Sequence, residues 1–142
     1  MRSRRETLIR AVVSRCQAAL DPVPVVRQPT TALPRARTPA LLLTVLSDTP
    51  ARRSNDRMER ELVLQLTGHA RDPTDGYAVA DDLLCRAHAA LFADSTVGGL
   101  ALAITEQEAD YLADDADVEA IALPATYRFT YRTLVSDIAQ GG

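Results

Sequence analysis

The sequence predicts an α+β fold, a two-layer sandwich in which two α-helices cover one face of a mainly antiparallel or mixed β-sheet, with an extended Pro/Arg-rich loop or arm. Three observations predict it. Two segments carry apolar residues at helical spacing, several others alternate or run apolar as strands do, and their order is helix, strands, helix, strands. With 142 residues, 46% of them hydrophobic, residues 1–142 form a single domain with apolar surface enough for its own core.

Ser3 followed by Glu6 forms a capping box, and Leu8, Val12, Val13, Cys16, Ala19 and Leu20 recur at helical spacing. This predicts a helix from about residue 4 to Leu20, stopped by Asp21-Pro22. Val23 to Arg27 reads as a short edge strand, because Pro24 would cost a ladder bond in a central one. The 5 prolines between residues 22 and 39, interspersed with Arg27, Arg35 and Arg37, predict an exposed arm. Leu41 to Leu46 is continuously apolar, as a central strand buried on both faces would be, and polar Ser47 to Asp56 ends it. From Met58 the pattern alternates: Leu62, Leu64 and Leu66 face one way, Glu61, Gln65 and Thr67 the other, predicting a strand over 57–69 with one wetter face.

Asp72-Pro73 supplies a cap with proline at the first helical position, and Val79, Leu83, Leu84, Ala87 and Leu91 form the stripe of a second helix. Asp94 to Gly99 is a turn, from which Leu100, Leu102 and Ile104 begin a strand that decays into a run of acids. In the last strand Ile121, Leu123, Ala125, Tyr127, Phe129 and Tyr131 alternate with Ala122, Pro124, Thr126, Arg128, Thr130 and Arg132. The odd positions should lie under the helices while Arg128 and Arg132 point away.

Charge is distributed unevenly along this framework. All 16 cations are arginines; residues 1–60 hold 12 of them against 5 carboxylates, and residues 61–142 hold 4 against 14, so halves of +7 and −10 make up the net −3. Opposed half-charges suit copies that dock head to tail, a basic patch on one facing an acidic patch on the next. Arginine's planar fork also suits fixed pairing with carboxylates. The candidate interface residues are therefore Arg35, Arg37, Arg52, Arg53 and Arg57, in loops expected to gather at one end of the sheet, the acids Glu106, Glu108, Asp110, Asp114, Asp115 and Asp117, and Arg128 and Arg132 on the last strand. The alternative is a solvated charged surface.

Motifs for chemistry are sparse. Cys85 and His88 stand one helical turn apart, but without third and fourth ligands they read as a packed thiol and an exposed imidazole. Asp115, Asp117 and Glu119 alternate as the first ligands of a calcium loop do, yet Ala120 stands where that loop needs glycine and Thr126 where it needs glutamate. Gly98-Gly99 reads as a tight turn, since no phosphate-binding glycine motif accompanies it. No catalytic residue, metal ligand or cofactor site is assigned. Clustered arginine would suit nucleic acid, but no aromatic residue is interleaved and the pI is near 5.3. The longest apolar runs are far too short to span a membrane, and the N-terminus reads as a helix start rather than a leader, which predicts a protein made and used in the cytoplasm.

In the order of its elements the chain resembles the tail terminator proteins of tailed bacteriophages, the group that includes minor tail protein U of lambda-like phages. The phrases that carry the resemblance are Arg5-Glu-Thr-Leu-Ile-Arg-Ala-Val-Val, Thr38-Pro-Ala-Leu-Leu-Leu-Thr-Val, the helix around Ala80-Asp-Asp-Leu-Leu, and Tyr127-Arg-Phe-Thr-Tyr-Arg. The resemblance spans nearly the whole chain and implies a non-enzymatic virion component. Such a protein forms a homohexameric ring at the top of the tail, made in the host cytoplasm, that caps the tail tube protein and meets the head-tail connector or head completion protein. DNA passes through its lumen without sequence-specific binding. Head-tail joining and tail completion proteins share much of the pattern and stay open as alternatives, as does a small nucleic-acid-binding module.

Overall fold

The computed structural model describes residues 1–27, 39–72, 74–109 and 121–142. Helix α1 (Arg4–Leu20) leads into β1 (Val25–Arg27); β2 (Ala40–Ser54) and β3 (Arg57–Ala70) form a long hairpin; helix α2 (Gly76–Phe92), β4 (Ala103–Gln107) and β5 (Ile121–Leu134) follow. The five strands make one mixed sheet in the order β1-β2-β3-β5-β4, with β1 parallel to β2 and every other pair antiparallel. This is the predicted α+β arrangement. The Pro/Arg-rich arm lies outside the described residues, apart from Arg27 and Pro39 at its ends.

The two helices pack on one sheet face. Leu62, Leu64 and Leu66 of β3 point into that layer together with Leu41 and Leu43 of β2 and Tyr127, Phe129 and Tyr131 of β5, all buried, and α1 and α2 close over them with Leu8, Ile9, Val12, Cys16, Leu83, Ala87 and Leu91. Registration ties these positions together. Leu43, Leu66 and Ala125 form one cross-strand row, and Val45, Leu64 and Tyr127 form the next. The expected face of β5 is thus the observed one.

Several local expectations are corrected. Leu41 to Leu46 is not buried on both faces: the described helices cover one face only, so Leu41 and Leu43 are buried, Leu42 is half-buried and Leu46 is exposed. Nor does the polar stretch after Val45 end the strand. Register shifts between Val45 and Ser47 and between Pro50 and Arg52 absorb it, and β2 continues to a two-residue turn at Asn55-Asp56, where Asn55 takes a left-handed φ of 55°. Pro50 is tolerated because β1 pairs only as far as Leu43, which leaves this part of β2 on a sheet edge.

Asp72 does not cap the second helix directly. Its carboxylate accepts from the backbone N–H groups of Thr74 and Asp75, forming a turn that delivers the chain to Gly76, where the helix begins. The strand foreseen from Leu100 starts at Ala103 instead, because Asp94 accepts from Thr96 and Gly98 and, with Gly98 and Gly99 at φ 66° and 83°, prolongs the turn. Gly68 has a different role. A Cβ there would lie 2.6 Å from the carbonyl oxygen of Ala80, so its lack of a side chain sets how closely α2 approaches the sheet.

These placements predict opposite outcomes for neighbouring residues on β5. Phe129 is 0% exposed, and Phe129→Ala should cost about 3–5 kcal/mol in urea denaturation. Arg128→Ala, on the uncovered face, should stay within about 0.5 kcal/mol of wild type. The reverse ranking would mean that the strand faces the other way.

Candidate interaction surfaces

The β2–β3 turn lies at one end of the sheet, with Leu134 of β5 opposite Arg57. At the other end Ala70 pairs with Ile121, against which Gly76 opens α2. Fourteen-residue strands separate the two ends by roughly 40–45 Å. Arg52, Arg53 and Arg57 gather beside the turn, as anticipated, but Arg52 and Arg53 sit on β2 rather than in a loop because the hairpin continues past them. Arg35 and Arg37 lie outside the described residues.

On the uncovered face Arg52, Glu59 and Arg132 form a single row across β2, β3 and β5, and Arg57 stands two residues before Glu59 on the same face. With Ser54 these side chains line a cavity of about 260 Å³. Arg132 Nη2 lies 3.9 Å from Glu59 Oε2, and farther along the face Arg128 Nη1 lies 3.7 Å from Glu61 Oε2. Both strand-five arginines thus point away from the helices and lie near carboxylates of their own chain, pairings that sequence spacing did not disclose. Arg52 and Arg57 make no ion pair with any described residue.

Behind the same end, on the helix-covered face, the shift after Val45 turns Asp48 inward. Tyr131 donates from its hydroxyl to Asp48 at 2.9 Å, and Arg5 Nη1 reaches the same carboxylate at 3.2 Å. This network fixes the start of α1 over the hairpin, and Arg4 N–H donating to the Ile138 carbonyl ties the C-terminal segment to it.

The opposite end is acidic. Asp72 and Asp75 precede α2, Asp81 and Asp82 are exposed in its first two turns, and β4 runs toward this end through Glu106 to Glu108, with Arg71 nearby. Asp110, Asp114, Asp115 and Asp117 lie outside the described residues, as does Glu119, so the calcium-loop pattern falls there too. Glu106 and Glu108 do not meet the hairpin arginines within the chain: Glu106 pairs across from Tyr127, while Arg57 sits at the far end of β5.

The Cys85 and His88 pair has a different environment from the one foreseen. Cys85 is exposed, with its Sγ 3.9 Å from Asp81, because α2 buries the neighbouring positions Leu83 and Ala87 instead. His88 is half-exposed; its Nδ1 lies 2.9 Å from the Tyr127 hydroxyl and 3.2 Å from Glu106 Oε1, and its ring stacks on Phe92 with centroids 4.6 Å apart. This cluster fastens edge strand β4 to α2. Among the described residues no group of three or more His, Cys, Asp or Glu is placed to hold a metal ion. No described helix is long and apolar enough to cross a membrane.

No family model matches the chain, and no curated protein matches it either. A functional reading therefore rests on the residues themselves and on the resemblance in element order.

Burial dictates the alkaline behaviour of the core. It pushes the Tyr127 phenol up from 10.0 to about 12, with Glu106 adding to the shift, and the Cys16 thiol up from 9.0 to about 11. Unfolded tyrosine loses its proton near pH 10 while folded Tyr127 keeps it. Stability is therefore complete only below about pH 8, where both groups stay protonated in the unfolded chain; it begins to fall as the unfolded Cys16 thiol ionises near 9 and goes on falling as pH rises toward 12. Urea midpoints at pH 7.5 and 11.5 should show this drop, and Tyr127→Phe should make it shallower; an unchanged midpoint would contradict the burial of both groups.

Proposed function

We propose that the chain is a non-enzymatic structural protein of a tailed-phage virion, a tail terminator that assembles as a homohexameric ring on the end of the tail tube. In this role it halts polymerisation of the tail tube protein and presents its other surface to the head-tail connector or head completion protein, with DNA passing through the lumen. Its place is the neck of the virion, after assembly in the host cytoplasm.

The observation that carries this reading is the separation of charge between the two ends of the sheet. Arg52, Arg53, Arg57 and Arg132 outnumber Asp56 and Glu59 at the hairpin end, and Asp72, Asp75, Asp81 and Asp82 outnumber Arg71 and Arg86 where α2 begins. Such a subunit is complementary to a copy of itself through unlike surfaces, the geometry that closes a ring. The α+β framework agrees with the element order on which the tail terminator resemblance rests. Head-tail joining or tail completion proteins of related fold would use the same kind of contact, and their position in the particle distinguishes them.

Two measurements test the proposal. At low salt and high protein concentration the 15.4 kDa chain should give a species of six copies, 6 × 15.4 kDa or about 92 kDa, and electron microscopy should find it as a ring at the upper end of tail tubes. A twofold dimer burying the same patch on both subunits of the assembled particle would overturn it. Exposed ion pairs contribute only ~0–1 kcal/mol each, so single substitutions among Arg52, Arg53 and Arg57 should be tolerated. Reversing all three should leave tails uncapped and overlong; normally capped tails from the triple variant would refute a role for this end.

A further inference from the structure

We infer that the cavity beside the hairpin turn is a carboxylate socket whose occupant is the acidic end of a second copy of this chain. The inference rests on the ring-forming reading above and assigns its contact to particular residues.

The socket is built by strand alternation. Arg52, Glu59 and Arg132 lie in one cross-strand row, and Arg57 comes onto the same face from two residues before Glu59 on β3. Three guanidinium groups thus share a cavity of about 260 Å³ with a single carboxylate. Glu59 lies 3.9 Å from Arg132, at the outer limit of an ion pair, and neither Arg52 nor Arg57 pairs with a described residue. The described lining keeps a formal excess of two positive charges, and like charges held this closely are relieved by an incoming anion. Guanidinium forks donate to both oxygens of a carboxylate, and Ser54 adds a hydroxyl donor.

Charge complementarity names the occupant. Asp75, Asp81 and Asp82 lie toward the other end of the same sheet: Ala80, beside Asp81, packs on Gly68, nine strand positions from Glu59 or roughly 30 Å, too far for these carboxylates to reach their own socket. Of these, only Asp82 has a strong local competitor, Arg86 at 3.6 Å. A neighbour's Asp75 and Asp81 can therefore enter the socket at little internal cost. A contact of basic end to acidic end uses unlike surfaces on each copy and leaves a free end of each kind, so successive copies add in the same sense until the ring closes.

The contact is tested by reversing each side separately. One variant carries Arg52→Glu with Arg57→Glu, the other Asp75→Arg with Asp81→Arg, and all four residues are exposed, so thermal unfolding should resemble wild type in both. By sedimentation at low salt each variant alone should associate on the order of 10- to 100-fold more weakly than wild type. An equimolar mixture should recover association, because alternating copies then match at every contact. Added salt should weaken wild type and mixture alike. If each variant alone associated like wild type, the socket would be wrong while the ring reading stood. If both variants were weakened but the mixture showed no recovery, the pairing of these two ends would be wrong. Wild type that stayed monomeric throughout would overturn both readings. Should double-stranded DNA bind wild type and be lost only with Arg52→Glu/Arg57→Glu, the socket would be a phosphate site and the proposed occupant would be refuted.

Discussion

The whole molecule depends on the register of β3. Its alternate residues Leu62, Leu64 and Leu66 are completely or almost completely buried, and their cross-strand neighbours on β2 and β5 complete the face on which both helices rest. Because side chains alternate with a period of two, a slip of one residue would turn these leucines to the uncovered face and push Glu61, Gln65 and Thr67 beneath the helices. Such a slip would expose most of the apolar layer and bury unpaired polar groups, each costing about 1–3 kcal/mol. The core therefore specifies the pairing far more strongly than the exposed face does. The shift after Val45 belongs to the same constraint: it places Asp48 opposite Leu62, where Tyr131 and Arg5 satisfy the carboxylate at the edge of the apolar layer.

Helix placement follows from that layer by two means. Gly68 admits the backbone of α2 at Ala80, so the second helix lies close against the central strand. Arg86 then donates to the carbonyl of Ala19, and Arg15 bridges to Asp94 at 3.1 Å, which ties the last turns of α1 to α2 and to the turn that follows it. The Asp94 carboxylate, drawn below its usual range first by the Thr96 hydroxyl and then by the N–H groups of Gly98 and Thr96 and by Arg15, also shapes the turn that leads to β4. One acidic side chain thus connects the helix layer to the edge strand.

Much of this was legible in the sequence where a strong period met a clear stop. The helix Arg4–Leu20 has a capping box at one end and Asp21-Pro22 at the other, and the alternation of β5 was unambiguous because aromatic residues alternate with arginines. Legibility failed where tertiary pairing overrode composition. Ser47 to Ser54 has the make-up of a loop, and only its pairing with β3 holds it as a strand. Leu41 to Leu46 has the make-up of a strand covered on both sides, yet periodicity cannot report which neighbours a sheet acquires. Of the candidate interface residues, the gathering of Arg52, Arg53 and Arg57 was foreseeable from their closeness in sequence. The addition of Arg132 was not, since it comes from the pairing of Glu59 on β3 with a residue of β5 more than seventy positions later.

A charge split along a chain becomes a split in space only if the topology preserves it, and here the hairpin does so. Arg52 to Arg60 straddles a chain reversal, so neighbours in sequence remain together at one end of the sheet instead of spreading along it. Asp72, Asp75, Asp81 and Asp82 occupy the segment entering α2 at the opposite end, while Glu106 on β4 faces the middle of β5. Screening at physiological ionic strength acts within about 8 Å, a small fraction of the strand length, so the two ends cannot neutralise one another within a subunit. Each end keeps its field for whatever approaches it. The helices place no apolar demand on the second sheet face, leaving the Arg52, Glu59 and Arg132 row free to carry charge without weakening the core. Covering the sheet with helices on one side stabilises the fold; among the described residues it is the exposed Arg52 and Arg132 of the opposite side and the residues at the ends that are left to interact.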